Sequence, residues 1–281
     1  MTTASTTKGP PLLDVRGLKV HLRVGDAIVR AVDGVDLRIT HGECVGIVGE
    51  SGSGKSTLVR AIAGLLPNVR IAELSGKLSF SGTDLMHISS GDLRRLRGVG
   101  GFSMVFQDPL GFLNPTMRAG LQIEEALPSR LGSSERRRRV HDLLREVGLP
   151  NAEFTARCYP HELSGGMRQR VAIAIALASS PALMFCDEPT TSLDATVQLQ
   201  VLQTLRRLYR EREMALVIIT HDLGLVAELC DRVYVMQAGR IVETTDVFSL
   251  FAAPSHPYTA RLIALSTRTK VDATPLSEAQ T

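Results

Sequence analysis

Gly49-Glu50-Ser51-Gly52-Ser53-Gly54-Lys55-Ser56 matches the pattern G-x-x-x-x-G-K-[ST] at every fixed position. Before it, Cys44-Val45-Gly46-Ile47-Val48 is a short apolar run suited to a buried strand. After it, Leu58, Val59, Ala61, Ile62, Leu65 and Leu66 recur at helical spacing until Pro67. Strand, glycine loop and helix in that order leave few folds open. The glycines let backbone N–H groups turn inward around a polyphosphate, and the helix N-terminus adds the positive end of its dipole. Lys55 is then placed to reach β- and γ-phosphates and Ser56 to ligate Mg²⁺.

The bulk properties are those of one large domain, or of a domain with an inserted subdomain: 281 residues, 44% hydrophobic and 22% charged. The net charge of +3 is spread among interleaved acids and bases, Trp is absent and aromatics are 4%, so no nucleic-acid partner is expected. The longest apolar stretch, 171–186, is broken by Ser179-Ser180-Pro181 and splits into a helix and a strand rather than a membrane span. The polar N-terminus lacks the apolar core of a signal peptide, which predicts a cytoplasmic protein. Cys44, Cys158, Cys186 and Cys230 show no CxxC spacing and read as reduced packing residues.

Residues 1–11 read as a disordered tail. Residues 12–39 read as short strands with turns at Gly25-Asp26 and Asp33-Gly34. A strand at 76–80 and a turn at 81–84 follow the phosphate-loop helix, so a small antiparallel sheet is expected beside a parallel one. Residues 98–107 lead through glycines into a strand ending at Gln107. From 108 to 178 the character is helical: Val140, Leu143, Leu144 and Val147 make one apolar face, and 167–178 is a second helix. Arg136 to Arg139, at the start of the first helix, read as a solvated face rather than a phosphate patch. Strand–helix alternation then returns, with strands at 183–186 and 216–219, helices at 196–212 and 222–229, and a hairpin over 233–243. Residues 251–281 are helix-like, then polar, with a disordered end. The fold class predicted is α/β: a parallel-sheet nucleotide-binding core over 12–107 and 179–250, and a helical subdomain over 108–178.

Two further groups carry chemistry. Leu183-Met184-Phe185-Cys186-Asp187-Glu188 puts two carboxylates at the C-terminal end of a buried strand. There Asp187 suits Mg²⁺, through water, and Glu188 suits polarising an attacking water. Leu163-Ser164-Gly165-Gly166-Met167 opens a helix with a hydroxyl and free N–H groups, a second anion site. One fold cannot easily aim both helix N-termini at one nucleotide, so the second site is expected to serve a neighbouring molecule.

The phosphate loop, Gln107, Leu163-Ser164-Gly165-Gly166-Met167, Asp187-Glu188, Ser192-Leu193-Asp194 and His221 together resemble the ATPase subunits of ABC transporters, from about residue 13 to 265. The resemblance implies a P-loop NTPase (RecA-like) core and an ATP-sandwich dimer. Gly49 to Ser56, with Thr57 next on the helix, would bind ATP in one subunit. Ser164, Gly165, Gly166 and Met167 of the other would face the same ATP, with Asp194 at the dimer seam. Glu188 would be the general base and His221 would hold the γ-phosphate. Ser56, Gln107 and Asp187 would serve Mg²⁺, and Gln107 would also sense the transmembrane partner.

A narrower resemblance is to the dipeptide/oligopeptide/nickel importer ATPases. It rests on Phe106-Gln107-Asp108-Pro109, Leu113-Asn114-Pro115, Tyr159-Pro160-His161-Glu162, Ser164 to Val171 and His256-Pro257-Tyr258-Thr259. Met167 is similar to the first of the two distinct ATPases such importers use. The implied partners are a sister ATPase in a heterodimer, two transmembrane permease subunits met through the surface around Gln107 to Gln122, and, indirectly, a solute-binding protein. The implied place is the cytoplasmic face of the membrane, and the cargo di- or oligopeptides, with nickel or another small solute as the alternative. For the Tyr159 and His256 segments, turn packing and partner contact both stay open. Two features depart from the family. No aromatic residue for adenine stacking occurs in Val24-Gly25-Asp26-Ala27-Ile28-Val29-Arg30, and no cysteine follows Cys230, so no iron–sulfur cluster is expected. Two other readings remain: a soluble ABC ATPase acting on nucleic acid or ribosomes, and a phosphate-loop kinase or GTPase.

Overall fold

The computed structural model describes residues 10–66, 70–191 and 193–272. Residues 1–9, 67–69, Ser192 and residues 273–281, which include most of the two tails read as disordered, lie outside the described residues.

Two sheets organise the described chain. The first is antiparallel, in the order β2-β1-β4-β5: β1 (Leu13–Val24), β2 (Ala27–Ile39), β4 (Arg70–Phe80) and β5 (Thr83–Asp84). The second has the order β10-β9-β3-β8-β7-β6. It comprises β3 (Cys44–Val48), β6 (Phe102–Val105), β7 (Leu183–Asp187), β8 (Ala215–Thr220), β9 (Arg232–Gln237) and β10 (Arg240–Asp246), parallel except for the β9–β10 hairpin. Helix α1 (Lys55–Ile62) follows β3, and α2 (Ser90–Leu96) precedes β6. Between β6 and β7 the chain is helical: α3 (Pro109–Phe112), α4 (Ala119–Ala126), α5 (Ser133–Glu146), α6 (Ala152–Arg157) and α7 (Gly165–Ala178). Helix α8 (Ala195–Glu211) joins β7 to β8, α9 (Leu223–Leu229) joins β8 to β9, and α10 (Val247–Ala252) and α11 (Pro257–Asp272) close the described chain.

The parallel sheet is buried on both faces, and strand alternation sorts its side chains. Val45 and Ile47 of β3, Phe185 of β7 and Val217 and Ile219 of β8 pack with the antiparallel sheet and with Leu58, Val59 and Ile62 of α1. Cys44, Val48, Met184, Cys186, Leu216 and Ile218 pack on the other side with the helices, including Val140, Leu143, Leu144 and Val147. All four cysteines are buried and free.

Several elements differ from the sequence reading. Residues 12–39 form two long strands, not several short ones. Asp33-Gly34 does not turn: Gly34 keeps φ +77 inside β2, and the β1–β2 register shifts nearby absorb it. With β1 paired on both edges, ladder hydrogen bonds outweigh a local turn signal. Helix α1 stops at Ile62, short of Pro67. Gly64 turns left-handed, with φ +62, and Leu65 N–H donates to Arg60 O at 2.7 Å, ending the helix in a Schellman-type turn. Strand β4 begins at Arg70, ahead of the expected 76, because β1 supplies a long edge to pair with. The arginine run on α5 is not uniformly solvated: Arg136 Nη2 donates to Glu124 O at 2.5 Å and Arg139 Nη1 to Glu146 Oε1 at 2.9 Å.

Candidate nucleotide site

Register sets the site. Val48 pairs with Thr220, Ile219 with Asp187 and Cys186 with Val105, so β3, β8, β7 and β6 end along one edge of the parallel sheet. Each catalytic candidate leaves from one of those ends: the phosphate loop after β3, Gln107 after β6, Glu188 after β7 and His221 after β8. In open parallel sheets this carboxyl edge is where ligands bind.

The loop from Gly49 to Gly54 needs glycine at both ends. A Cβ on Gly49 would overlap the Met236 carbonyl, and one on Gly54, whose φ is +104, would overlap the Ala31 carbonyl. Ser51 and Gly52 face solvent, while Ser53 and Lys55 are buried. Gly54 caps α1 with no side-chain bond, which leaves the first-turn N–H groups open to an anion. Thr57 follows on α1, half-buried. The Lys55 ammonium folds onto its own loop, donating to Gly49 O at 2.7 Å, Glu50 O at 2.8 Å and Ser53 Oγ at 3.3 Å. Burial pulls its pKa below the usual lysine value, against the attraction of Glu188 and Asp187. The ammonium is thus held inside the loop by neutral oxygens that a phosphate can replace.

Ser56 Oγ donates to Asp187 Oδ1 at 2.8 Å. Asp187 is fully buried, and burial raises its pKa above the ordinary carboxylate value. Its Oδ2 has no hydrogen-bond partner among the described residues, and the nearest cationic group is Arg60 Nη2, at 3.7 Å, with the Lys55 charge also acting on the carboxylate. Next to it, Glu188 is a convergence point. Gln107 Nε2 donates to Oε2 at 2.9 Å, Thr191 Oγ1 donates to the same oxygen at 2.9 Å, and His221 Nδ1 stands 3.2 Å from Oε1. Glu188 takes φ +47, a left-handed conformation uncommon for a residue with a Cβ.

The second anion site is built where α7 meets α8. Ser164 caps α7, its Oγ accepting from Met167 N–H at 3.3 Å, and Asp194 caps α8, accepting from Val197 N–H at 3.0 Å. Gly165 lies against Leu193 and Gly166 against Val197, so Ser164, Gly165, Gly166 and Asp194 form one group, with Met167 partly buried behind it. Among the described residues no hydrogen bond joins this group to Gly49–Ser56 or to Glu188.

Three contributors escaped the sequence reading. Thr191 supports Glu188, Arg60 faces Asp187, and Tyr258, from α11, accepts a hydrogen bond from Glu50 N–H at 2.9 Å. Tyr258 lay in a segment already singled out, but nothing local ties it to a loop 208 residues earlier. At the tip of the β1–β2 hairpin, Val24, Ile28 and Val29 expose aliphatic surface, in the stretch that lacks an aromatic.

A phosphate loop on a parallel sheet, with a buried aspartate beside its serine and a supported glutamate at the next strand end, defines a P-loop nucleotide hydrolase. Comparison with known proteins narrows the class. Residues 32–191 match the ABC transporter family. The dipeptide transport ATP-binding protein DppD of Escherichia coli (strain K12) is 49% identical over 256 residues, covering 90% of this chain and 77% of that protein. The oligopeptide transport ATP-binding protein OppD of Bacillus subtilis (strain 168) is 44% identical over 255 residues, covering 90% and 71%. Among solved structures, the dimeric ATP-binding cassette MJ0796, in a post-hydrolysis state bound to ADP and Pi, matches with a TM-score of 0.73 at 29% identity, over 84% of this chain and 98% of that one. The chain belongs to the ABC transporter family, as its nucleotide-binding, ATP-hydrolysing cassette.

Proposed function

We propose that this chain powers the uptake of di- or oligopeptides as one of two ATPase subunits of an ABC importer, peripheral to the cytoplasmic face of the membrane. The observation that carries the chemistry is the Glu188 carboxylate, held by Gln107 and His221 on the strand edge that bears the phosphate loop. The cargo class is supported by the dipeptide and oligopeptide relatives. Domain organisation is proposed accordingly: one ATPase domain over 12–265, with the helices of 108–178 as a subdomain and 251–281 as a short extension.

In this reading ATP lies along Gly49 to Thr57. N–H groups of the loop and of the first turn of α1 take the phosphate oxygens, and Lys55 Nζ exchanges its carbonyl partners for β- and γ-phosphate oxygens. The residues present fit Mg²⁺: Ser56 Oγ and Asp187 offer hard oxygen donors, and Asp187 Oδ2 is buried without a hydrogen bond. Held by Ser56 and Asp187, the ion would supply positive charge to offset that of the phosphate oxygens. Glu188 orients the attacking water and accepts its proton. Gln107 and Thr191 fix Oε2 of that carboxylate, leaving Oε1 and the His221 ring to meet water and γ-phosphate. Ser164 to Met167 and Asp194 of a sister ATPase would close over the same nucleotide. Gln107 couples outward. A cavity of about 350 Å³ between β6 and the α4 and α7 helices, lined by Leu65, Met104, Phe106 and Ile175 together with Arg97 and Glu125, would receive a permease segment.

Mild-detergent extraction from native membranes, with identification of co-purifying proteins, tests the assignment. Two multi-span subunits and a second phosphate-loop ATPase are expected, and uptake by the complex should follow peptides rather than nickel. Recovery with ribosomes or nucleic acid instead would remove the transport function and leave the ATP chemistry standing.

A further inference from the structure

The His256-Pro257-Tyr258-Thr259 segment has no part in the nucleotide site as drawn from the sequence, yet the fold brings it there. Tyr258 is buried, and its phenol oxygen accepts the backbone N–H of Glu50, the second residue of the phosphate loop, at 2.9 Å. Burial pushes the phenol's pKa above its ordinary value, so the group is neutral across the working pH range.

Tyr258 is itself anchored. Glu243 of β10, almost fully buried, accepts the N–H of Ser255 at 2.8 Å on one oxygen and the N–H of His256 at 2.9 Å on the other. His256 Nδ1 accepts the N–H of Tyr258 at 3.2 Å. Burial works against the charge on Glu243, but the nearby Thr259 hydroxyl and these N–H groups hold its carboxyl below the usual carboxylate range. The line runs from β10 through the start of α11 to the loop. At its far end the Gly49–Glu50 peptide has both groups engaged: the Glu50 N–H by Tyr258 and the Gly49 C=O by Lys55 Nζ. The orientation of this peptide sets where the lysine rests and how the loop opens toward phosphate.

We propose that Tyr258 is a positioning residue for nucleotide binding: its hydroxyl fixes the Gly49–Glu50 peptide and so pre-forms the phosphate loop, with Glu243 as the anchor that holds Tyr258 in place. This rests on the assignment of Gly49 to Thr57 to ATP. Glu50 is an exposed residue and its N–H bond to Tyr258 is part-buried, so the phenol oxygen can be removed without opening the core. The loss is therefore one of pre-organisation, not a collapse of the loop.

Tyr258→Phe keeps the ring and removes one oxygen. In the purified full chain it should raise the ATP Kd about five-fold, of the order set by one hydrogen bond, and speed amide exchange at Glu50. In the assembled transporter KM for ATP should rise with kcat held within about two-fold, a split that loss of packing alone would not give. Lys55→Ala serves as the reference. If Lys55→Ala binds ATP like the wild type, the nucleotide assignment of the loop falls, and this proposal with it. If Lys55→Ala loses ATP while Tyr258→Phe matches the wild type in Kd and Glu50 exchange, the proposal alone is overturned. A fall in kcat at unchanged KM also overturns it. Should Tyr258→Phe not fold, Glu243→Gln, which keeps one acceptor for two N–H groups, must raise the Kd in the same direction; an unchanged Kd there sinks the proposal.

Discussion

At the scale of single residues, the proposed chemistry rests on Glu188 and on the backbone that presents it. Its φ of +47 is a strained conformation for a side chain with a Cβ, of a kind that costs about 1–2 kcal/mol. Its N–H is nonetheless fixed on Ile219 O at 2.8 Å. The strain lifts the carboxylate toward Gln107 and His221 instead of along the strand. Two expectations follow from separate physics. Glu188→Gln should bind ATP but lower turnover by at least about a hundred-fold, since the proton acceptor is gone; single-turnover hydrolysis at the wild-type rate would remove Glu188 from that role. Glu188→Gly and Glu188→Ala should both be inactive, yet the glycine variant should be more stable by about 1 kcal/mol in denaturant melts, because only alanine keeps the strain.

At the scale of elements, the molecule is held by contacts between layers. Phe102 of β6 stands edge-on to Phe80 of β4 at 5.3 Å and to Phe185 of β7 at 6.3 Å, tying the two sheets together. All three rings are essentially fully buried. Phe102→Ala should lose about 3–5 kcal/mol of stability, read by chemical denaturation. Helix starts carry a different part of the design. The α1 start is left without a side-chain cap, whereas α7 and α8 are capped by Ser164 and Asp194. Ser164→Ala should cost about 1 kcal/mol through the lost cap. In the assembled transporter it should also weaken ATP-dependent closure, which the isolated chain cannot report.

At the scale of the whole molecule, the proposed function makes a pair of ATPase chains, not one, the working unit. The phosphate loop sits on the strand edge, and the Ser164–Asp194 group is assembled separately where α7 meets α8. A nucleotide between two subunits gains contacts that an open pair lacks. Binding then favours closure and hydrolysis reverses it, which is a two-state cycle driven by linkage. Glu188→Gln with ATP should accumulate the closed assembly with the sister ATPase, measured by light scattering or crosslinking of Ser164 to the partner's loop region. A monomer under those conditions would break the cycle as drawn.

The residues proposed to carry the chemistry could be named from the sequence because each is a local pattern: a loop between strand and helix, two acids ending an apolar strand, a serine and two glycines opening a helix. The parallel sheet was legible from the alternation of those strands and helices. What stayed hidden is what depends on pairing across distance. The long β1–β2 hairpin overrode the Asp33-Gly34 turn signal because ladder bonds on both edges of β1 decided the conformation. The early end of α1 was decided by a left-handed Gly64 and the bonds around it. Thr191 and Arg60 entered the site through side-chain reach, which spacing does not encode. The Tyr258–Glu50 bond spans 208 residues. The sequence by itself determined which groups can do the chemistry, since that is set by residue type and local backbone. Only the tertiary structure decided which of them meet, since a contact depends on the packing of distant segments.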